Sequence, residues 1–144
     1  MPERKTLKRA RKAKREGKAP STQAGEFVRE EIEHVREGKH GARSTKQAIA
    51  IGLSKARRAG IKLKPPRRGQ ASPQTRKSAA RDYRAGQRHK RRKQSARRSR
   101  ASTRALKREP KRAASRRALS KQARSAASRR VGELRRNGAR ISRI

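Results

Sequence analysis

Arginine and lysine are the residues of this chain whose number and spacing can do chemistry, and that chemistry is the binding of phosphate. Forty-eight basic residues stand against ten acidic ones in 144, a formal net charge of +38. Charge of that size opposes compaction by self-repulsion and calls for a polyanion, which in a cell is nucleic acid. Arg outnumbers Lys after residue 65. Its planar fork matches phosphate and enters narrow minor grooves, so DNA is expected ahead of RNA. The candidate phosphate ligands fall in three places. Arg43, Lys46, Lys55, Arg57, Arg58, Lys62, Lys64, Arg67 and Arg68 lie in a predicted helix or in the chain just before and after it. His89, Lys90, Arg91, Arg92, Lys93, Arg97, Arg98 and Arg100 form a dense basic run. Arg104, Arg116, Arg117, Arg129 and Arg130 sit in a repeat described below.

Other chemistry finds no residues to carry it. His34 and His40 stand six apart across a predicted turn, with no metal-ligand spacing, and read with His89 as solvated surface residues. No Gly-rich phosphate loop exists, and no nucleophile has a base and an orienting group. Cysteine is absent, which removes disulfides and thiolates. An enzyme is not expected, nor a metal, a cofactor or a small-molecule substrate. Single-strand binders stack bases on aromatics, and only Phe27 and Tyr83 are available.

The charge is unevenly placed. Residues 1–20 hold nine basic and two acidic residues (net +7), residues 21–64 ten and five (+5), and residues 65–144 twenty-nine and three (+26). Hydrophobic residues make up 28% of the chain and aromatics 1%. Low hydrophobicity with high net charge marks a chain that cannot bury enough apolar surface to offset its ordering entropy. The expected fold class is therefore mostly disordered with α: a short αα-hairpin over residues 21–64, flanked by basic, partly helical tails. Residues 1–20 read as a basic N-terminal tail and 65–100 as a disordered basic linker. Residues 101–139 read as three 13-residue repeats and 140–144 as the C-terminal end.

In the hairpin, Val28, Ile32 and Val35 share one helical face beside Phe27. Glu26, Glu30 and Glu31 are placed in early turns, where the macrodipole favours anions. Gly38 is the expected C-cap. The second helix starts at Ser44, with Gln47 completing a capping box. It carries Ala48, Ile49, Gly52, Leu53 and Ala56 as its stripe and ends at Gly60, with Ile61 making the apolar contact of a Schellman stop. Phe27, Val28, Ile32, Val35, Ile49 and Leu53 are the expected core. A unit of about 40 residues is near the lower limit for folding alone, so it is expected to gain stability from nucleic acid or a homodimer through the hairpin.

Glu33 to Gly38, Lys46 to Leu53, Ser54 and Ala56 resemble a family of small, basic bacterial proteins with a domain of unknown function. Its pattern is an acidic helix, a Gly-Lys turn and a K-Q-A-I-A-I-x-L-S-x-A helix. The resemblance covers about a quarter of the chain. It implies a bacterial cytoplasmic setting and a DNA-associated role, and it adds no catalytic residues.

Residues 101–139 divide into ASTRALKREPKRA, ASRRALSKQARSA and ASRRVGELRRNGA. Thirteen residues advance about 220° beyond three turns, so one straight helix would not keep equivalents on one face. Short helices capped by Ser102, Ser115 and Ser128 are expected, the first broken by Pro110. The Ala/Ser/Arg composition is similar to linker-histone-like tails.

The functional expectation is a DNA-binding, histone-like nucleoid-associated protein with little sequence preference, cytoplasmic and in the nucleoid. The alternative is an RNA-binding or ribosome-associated protein. A third reading has the acidic first helix recruit a protein partner while the tails anchor. Membrane association is not expected: no apolar run approaches a span, and no secretory signal or transit peptide is expected, Leu7 being the only large apolar residue in 2–19.

Overall fold

Alanine, part of the 28% hydrophobic count, builds most of the core. In a computed structural model, which describes residues 2–88 and 95–141, twelve hydrophobic side chains are buried. Nine of them are alanines, at 10, 13, 24, 42, 48, 56, 79, 113 and 114. A methyl group buries little area, but it lets helix backbones approach closely and keeps the space filled. The chain forms α1 (Arg4–Arg15), α2 (Pro20–Glu37), α3 (Thr45–Arg58), α4 (Pro73–Gln87), α5 (Ala96–Lys107), a 3-10 turn (Arg112–Ala114) and α6 (Arg116–Ile141). The chain is therefore helical through most of its described length, and the expectation of a mostly disordered protein is overturned.

The hairpin of α2 and α3 is present. Gly38 closes α2 at φ +79°, and Ser44 accepts the Gln47 N–H at 3.2 Å. After α3 the Gly60 N–H bonds Arg57 O and the Ile61 N–H bonds Ala56 O, both at 3.1 Å, the paired bonds of a Schellman stop. Phe27, Ile32 and Val35 are buried, while Val28, Ile49 and Leu53 are half-buried. One reading of α2 fails: the helix begins at Pro20, so its first turn holds no acid. The glutamates sit mid-helix and are placed by ion pairs instead of the dipole.

Residues 1–20 are not a tail. Thr6, Ala10 and Ala13 recur at helical spacing and bury one face of α1. With Phe27, Ala24 and Ala56, Ala10 forms one core cluster, flanked by Leu7, Leu53, Ile61 and Leu63. The described part of the expected linker, residues 65–88 and 95–100, is not disordered either, for it contains α4 and the start of α5. Ser72 caps α4 by accepting the Thr75 N–H at 3.2 Å, and Pro73 fits its first turn. Asp82 accepts a hydrogen bond from Ser54 at 2.5 Å, and Gln87 donates to Gly60 O at 3.3 Å. Both bonds hold α4 on α3.

Gly86 sets how closely α4 lies on that neighbour. A Cβ there would stand 1.7 Å from Arg57 O and 3.1 Å from Gly60 N, both backbone atoms that cannot rotate away. Gly86→Ala is expected to push α4 off α3 and cost about 1–3 kcal/mol, as overpacking does. Urea unfolding of the two proteins side by side measures it. Equal midpoints would mean that the α3–α4 contact is not made.

The C-terminal half docks on the α2–α3 loop and on α3. Gly41 N–H donates to Leu106 O at 2.8 Å and Ala42 N–H to Pro110 O at 3.1 Å. Thr45 Oγ1 donates to Ala113 O at 2.6 Å, and Arg36 Nε to Ala114 O at 3.0 Å. A second core cluster joins Ile32, Val35, Ala42 and Ala48 to Ala113 and Ala114, with Val28 and Leu119 against it. The apolar hairpin face offered above to a dimer partner is thus covered within the chain.

The repeat is read differently by the structure. The first unit lies in α5, the loop that holds Pro110 and the start of the 3-10 turn, but the second and third lie largely in one 26-residue helix. Of the three expected caps, only Ser115 caps a helix, accepting the Ala118 N–H at 3.1 Å. Ser102 is inside α5, and Ser128 is inside α6, donating to Arg124 O at 3.0 Å. The cap of α5 is Ser95, accepting from Arg98 N–H at 3.5 Å.

Candidate nucleic-acid interface

α6 rises about 39 Å over its 26 residues. Arg116, Arg117, Lys121, Arg124, Arg129, Arg130, Arg135 and Arg136 are all exposed on it. Glu133 is its one acid. None of these eight cations pairs with a carboxylate among the described residues. The 220° advance of the repeat acquires a meaning here. It distributes cations around the helix, which suits a surface that meets phosphates and serves poorly as a packing stripe. Beyond its first turns α6 leaves Val131 and Leu134 exposed, so only its N-terminal part is held by the body.

A cleft marks that held end. Arg43, Ser44, Thr45, Arg112, Ala113, Ser115, Arg117, Ala118 and Lys121 line it. The N-termini of α3 and α6 both open onto it, because their capping serines Ser44 and Ser115 are in its wall. Two positive dipole ends and four basic side chains therefore meet in one concavity, an arrangement that favours an anion. Arg43 is 80% exposed with Glu109 only at 3.8 Å, so its guanidinium stays available. On α1, a basic groove runs along Arg4, Lys8, Arg11, Lys14 and Arg15 beside Leu7.

The structure divides the sequence-derived ligands. Lys46, Arg58, Lys62, Lys64, Arg67, Arg68, Arg97, Arg98, Arg100, Arg104, Arg116, Arg117, Arg129 and Arg130 are exposed, as is Arg43. Two are not available as assigned. Arg57 is 7% exposed and donates to Leu63 O at 3.1 Å and to Lys64 O at 3.5 Å. Burial lowers its pKa, partly opposed by the charge of Asp82. It fastens the segment after α3. Lys55 is committed to the buried carboxylate of Glu31. His89, Lys90, Arg91, Arg92 and Lys93 lie outside the described residues. The residues missed by sequence are Arg112 and Lys121 in the cleft, Arg124, Arg135 and Arg136 on α6, and the α1 cations. A buried alanine face on α1 was the available signal for the latter.

The acidic residues are used internally. Glu26 faces Arg9 at 4.0 Å, Glu33 holds Arg29 at 3.1 Å, and Glu30 and Glu31 are buried. Glu3 accepts from His34 Nε2 at 2.9 Å and Lys39 Nζ at 3.3 Å. First the His34 hydrogen bond and then that of Lys39 hold its carboxyl below the usual range. Base reading by the start of α3 finds little to use. Thr45 is spent on Ala113 O, and Gln47 Oε1 accepts the Arg43 N–H at 2.6 Å, which leaves Lys46. No helix among the described residues is long and apolar enough to cross a membrane.

Residues 4–68 match the model of a family of unknown function, DUF6496. The match spans α1, α2 and α3, so the domain takes in the helix that the sequence reading set aside as a tail. No curated protein and no solved structure matches the chain.

Proposed function

We propose that this chain, with a domain of unknown function in residues 4–68, binds the phosphate backbone of nucleic acid, duplex DNA ahead of RNA, with little sequence preference. The observation that carries the reading is α6: eight exposed cations on one helix, with no carboxylate paired to them among the described residues. An uncompensated cationic rod needs counterions, and a polyanion that replaces them gains the entropy of their release. Phosphate contacts position a protein and carry no sequence information. Histone-like coating and compaction in the nucleoid is the biological role proposed for it. The helical body supplies what a floppy tail lacks, since the cleft and the base of α6 are held in place before binding, which lowers the ordering cost.

The cleft at the base of α6 is the proposed anchor, and it gives a defined test. Arg112→Ala/Arg117→Ala/Lys121→Ala removes three exposed cations and no buried contact. Binding should weaken by a similar factor on unrelated duplexes, and the salt slope should become shallower by about 3. Fluorescence anisotropy on two unrelated duplexes of one length measures both. An unchanged slope would remove the cleft from the interface. Competition by structured RNA in the same assay ranks the two polymers.

A further inference from the structure

Three side chains with ligand chemistry converge at the C-terminal end of α2. Glu31 and His34 are three residues apart on α2, and the turn at Gly38 returns His40 to them. Each of Glu31, His34 and His40 offers one ligand atom, and the three atoms lie within 4.8 Å of one another. The imidazoles meet edge to face, 6.0 Å between centroids. They are not solvated surface residues: their side chains are only 14% and 13% exposed, and that of Glu31 only 1%.

The polar accounting inside this cluster does not close with protein groups alone. Glu31 Oε1 holds the Lys55 ammonium. Glu31 Oε2 is fully buried and accepts no hydrogen bond, although His40 Nε2 stands 3.1 Å from it. His40 Nδ1 lies 2.9 Å from Gly41 O. A carbonyl only accepts, so Nδ1 carries the proton, and an Nε2 that carries none presents a lone pair. A carboxylate oxygen and an imidazole lone pair thus lie side by side, each without a donor between them. Donors bound to one tetrahedral ion at 2.0–2.2 Å stand about 3.3–3.6 Å apart, a few tenths of an ångström wider than this spacing. His34 completes the set, and its Nε2–H is oriented by the Glu3 carboxylate at 2.9 Å. Carboxylates and carbonyls holding the far side of ligating imidazoles are the usual outer partners of a metal. Glu30, also buried with an unpaired Oε2, adds negative charge 3.8 Å from His34 and helps offset Lys55.

We propose that Glu31, His34 and His40 bind a divalent first-row transition cation of the zinc class. Two imidazoles and one carboxylate suit zinc and its neighbours, whereas magnesium and calcium favour all-oxygen sites. The ion ties α2 to the α2–α3 loop, the loop that Gly41 and Ala42 dock on residues 106–110.

The test uses the full-length, tag-free chain stripped with chelator. Isothermal titration with zinc chloride should show one equivalent bound and a raised thermal midpoint, and cobalt(II) should give the visible absorption of a tetrahedral site. His34→Gln and His40→Gln should each weaken zinc binding at least about tenfold, with helical circular dichroism in chelator unchanged. His89→Gln should leave binding intact. No saturable binding by the unsubstituted protein would overturn the proposal. So would one-equivalent binding that both glutamine variants retain.

Discussion

Phe27→Ala should lower the stability of this protein by about 3–5 kcal/mol, as large-to-small changes at buried aromatics do. Phe27 is 1% exposed and is the only large ring in either core cluster. It sits where α1, α2 and α3 meet, among Ala10, Ala24 and Ala56. Alanines have no length to extend into the space left behind, so the cavity cannot collapse. Domains of this size hold about 5–15 kcal/mol in total, and a loss of this kind is a large share of it. The thermal midpoint should fall by roughly 10 °C. Thermal unfolding followed by far-UV circular dichroism measures this. A shift near zero would mean that α1 does not close over the hairpin.

The second large effect is on binding. Ten phosphate contacts would make log K fall with log salt at a slope near −9. Affinity for a duplex should then drop by about 10⁵-fold between about 50 and 200 mM salt. The eight cations on α6, two of which line the cleft, and the further two cleft cations Arg43 and Arg112 supply that number without the basic run at residues 89–93. The loss should be the same for unrelated sequences, because no exposed side chain at the start of α3 except Lys46 is free to read a base.

What the sequence revealed and what it concealed divide along one physical line. The α2–α3 hairpin was legible because Val28, Ile32 and Val35 repeat at helical spacing and because Ser44, Gly38 and Gly60 punctuate it. α1 and α4 were not, because their buried faces are Thr6, Ala10 and Ala13 in one and Ala79 and Gly86 in the other. A hydropathy scale sees such faces as neutral, whereas a backbone seeking close approach finds them ideal. α6 was misjudged for a different reason. Its repeat lacks a packing face, but a helix whose partner is phosphate needs none. Of the candidate ligands, exposure separated Arg43 and Arg117 from Arg57 and Lys55, and no local pattern announces that difference. The pairing of His34 with His40 depends on a turn folding back and on Glu31 being buried, which spacing alone does not encode.

The central claim is that a folded helical body presents cations to a phosphate backbone through α6 and the cleft at its base. Its most direct test is the slope of log K against log salt on one random duplex, measured in parallel for the unsubstituted chain and for Arg112→Ala/Arg117→Ala/Lys121→Ala. The account predicts a slope of about −9 or steeper for the first and one shallower by about 3 for the second. A flat response of the unsubstituted chain, or two identical slopes, would contradict it.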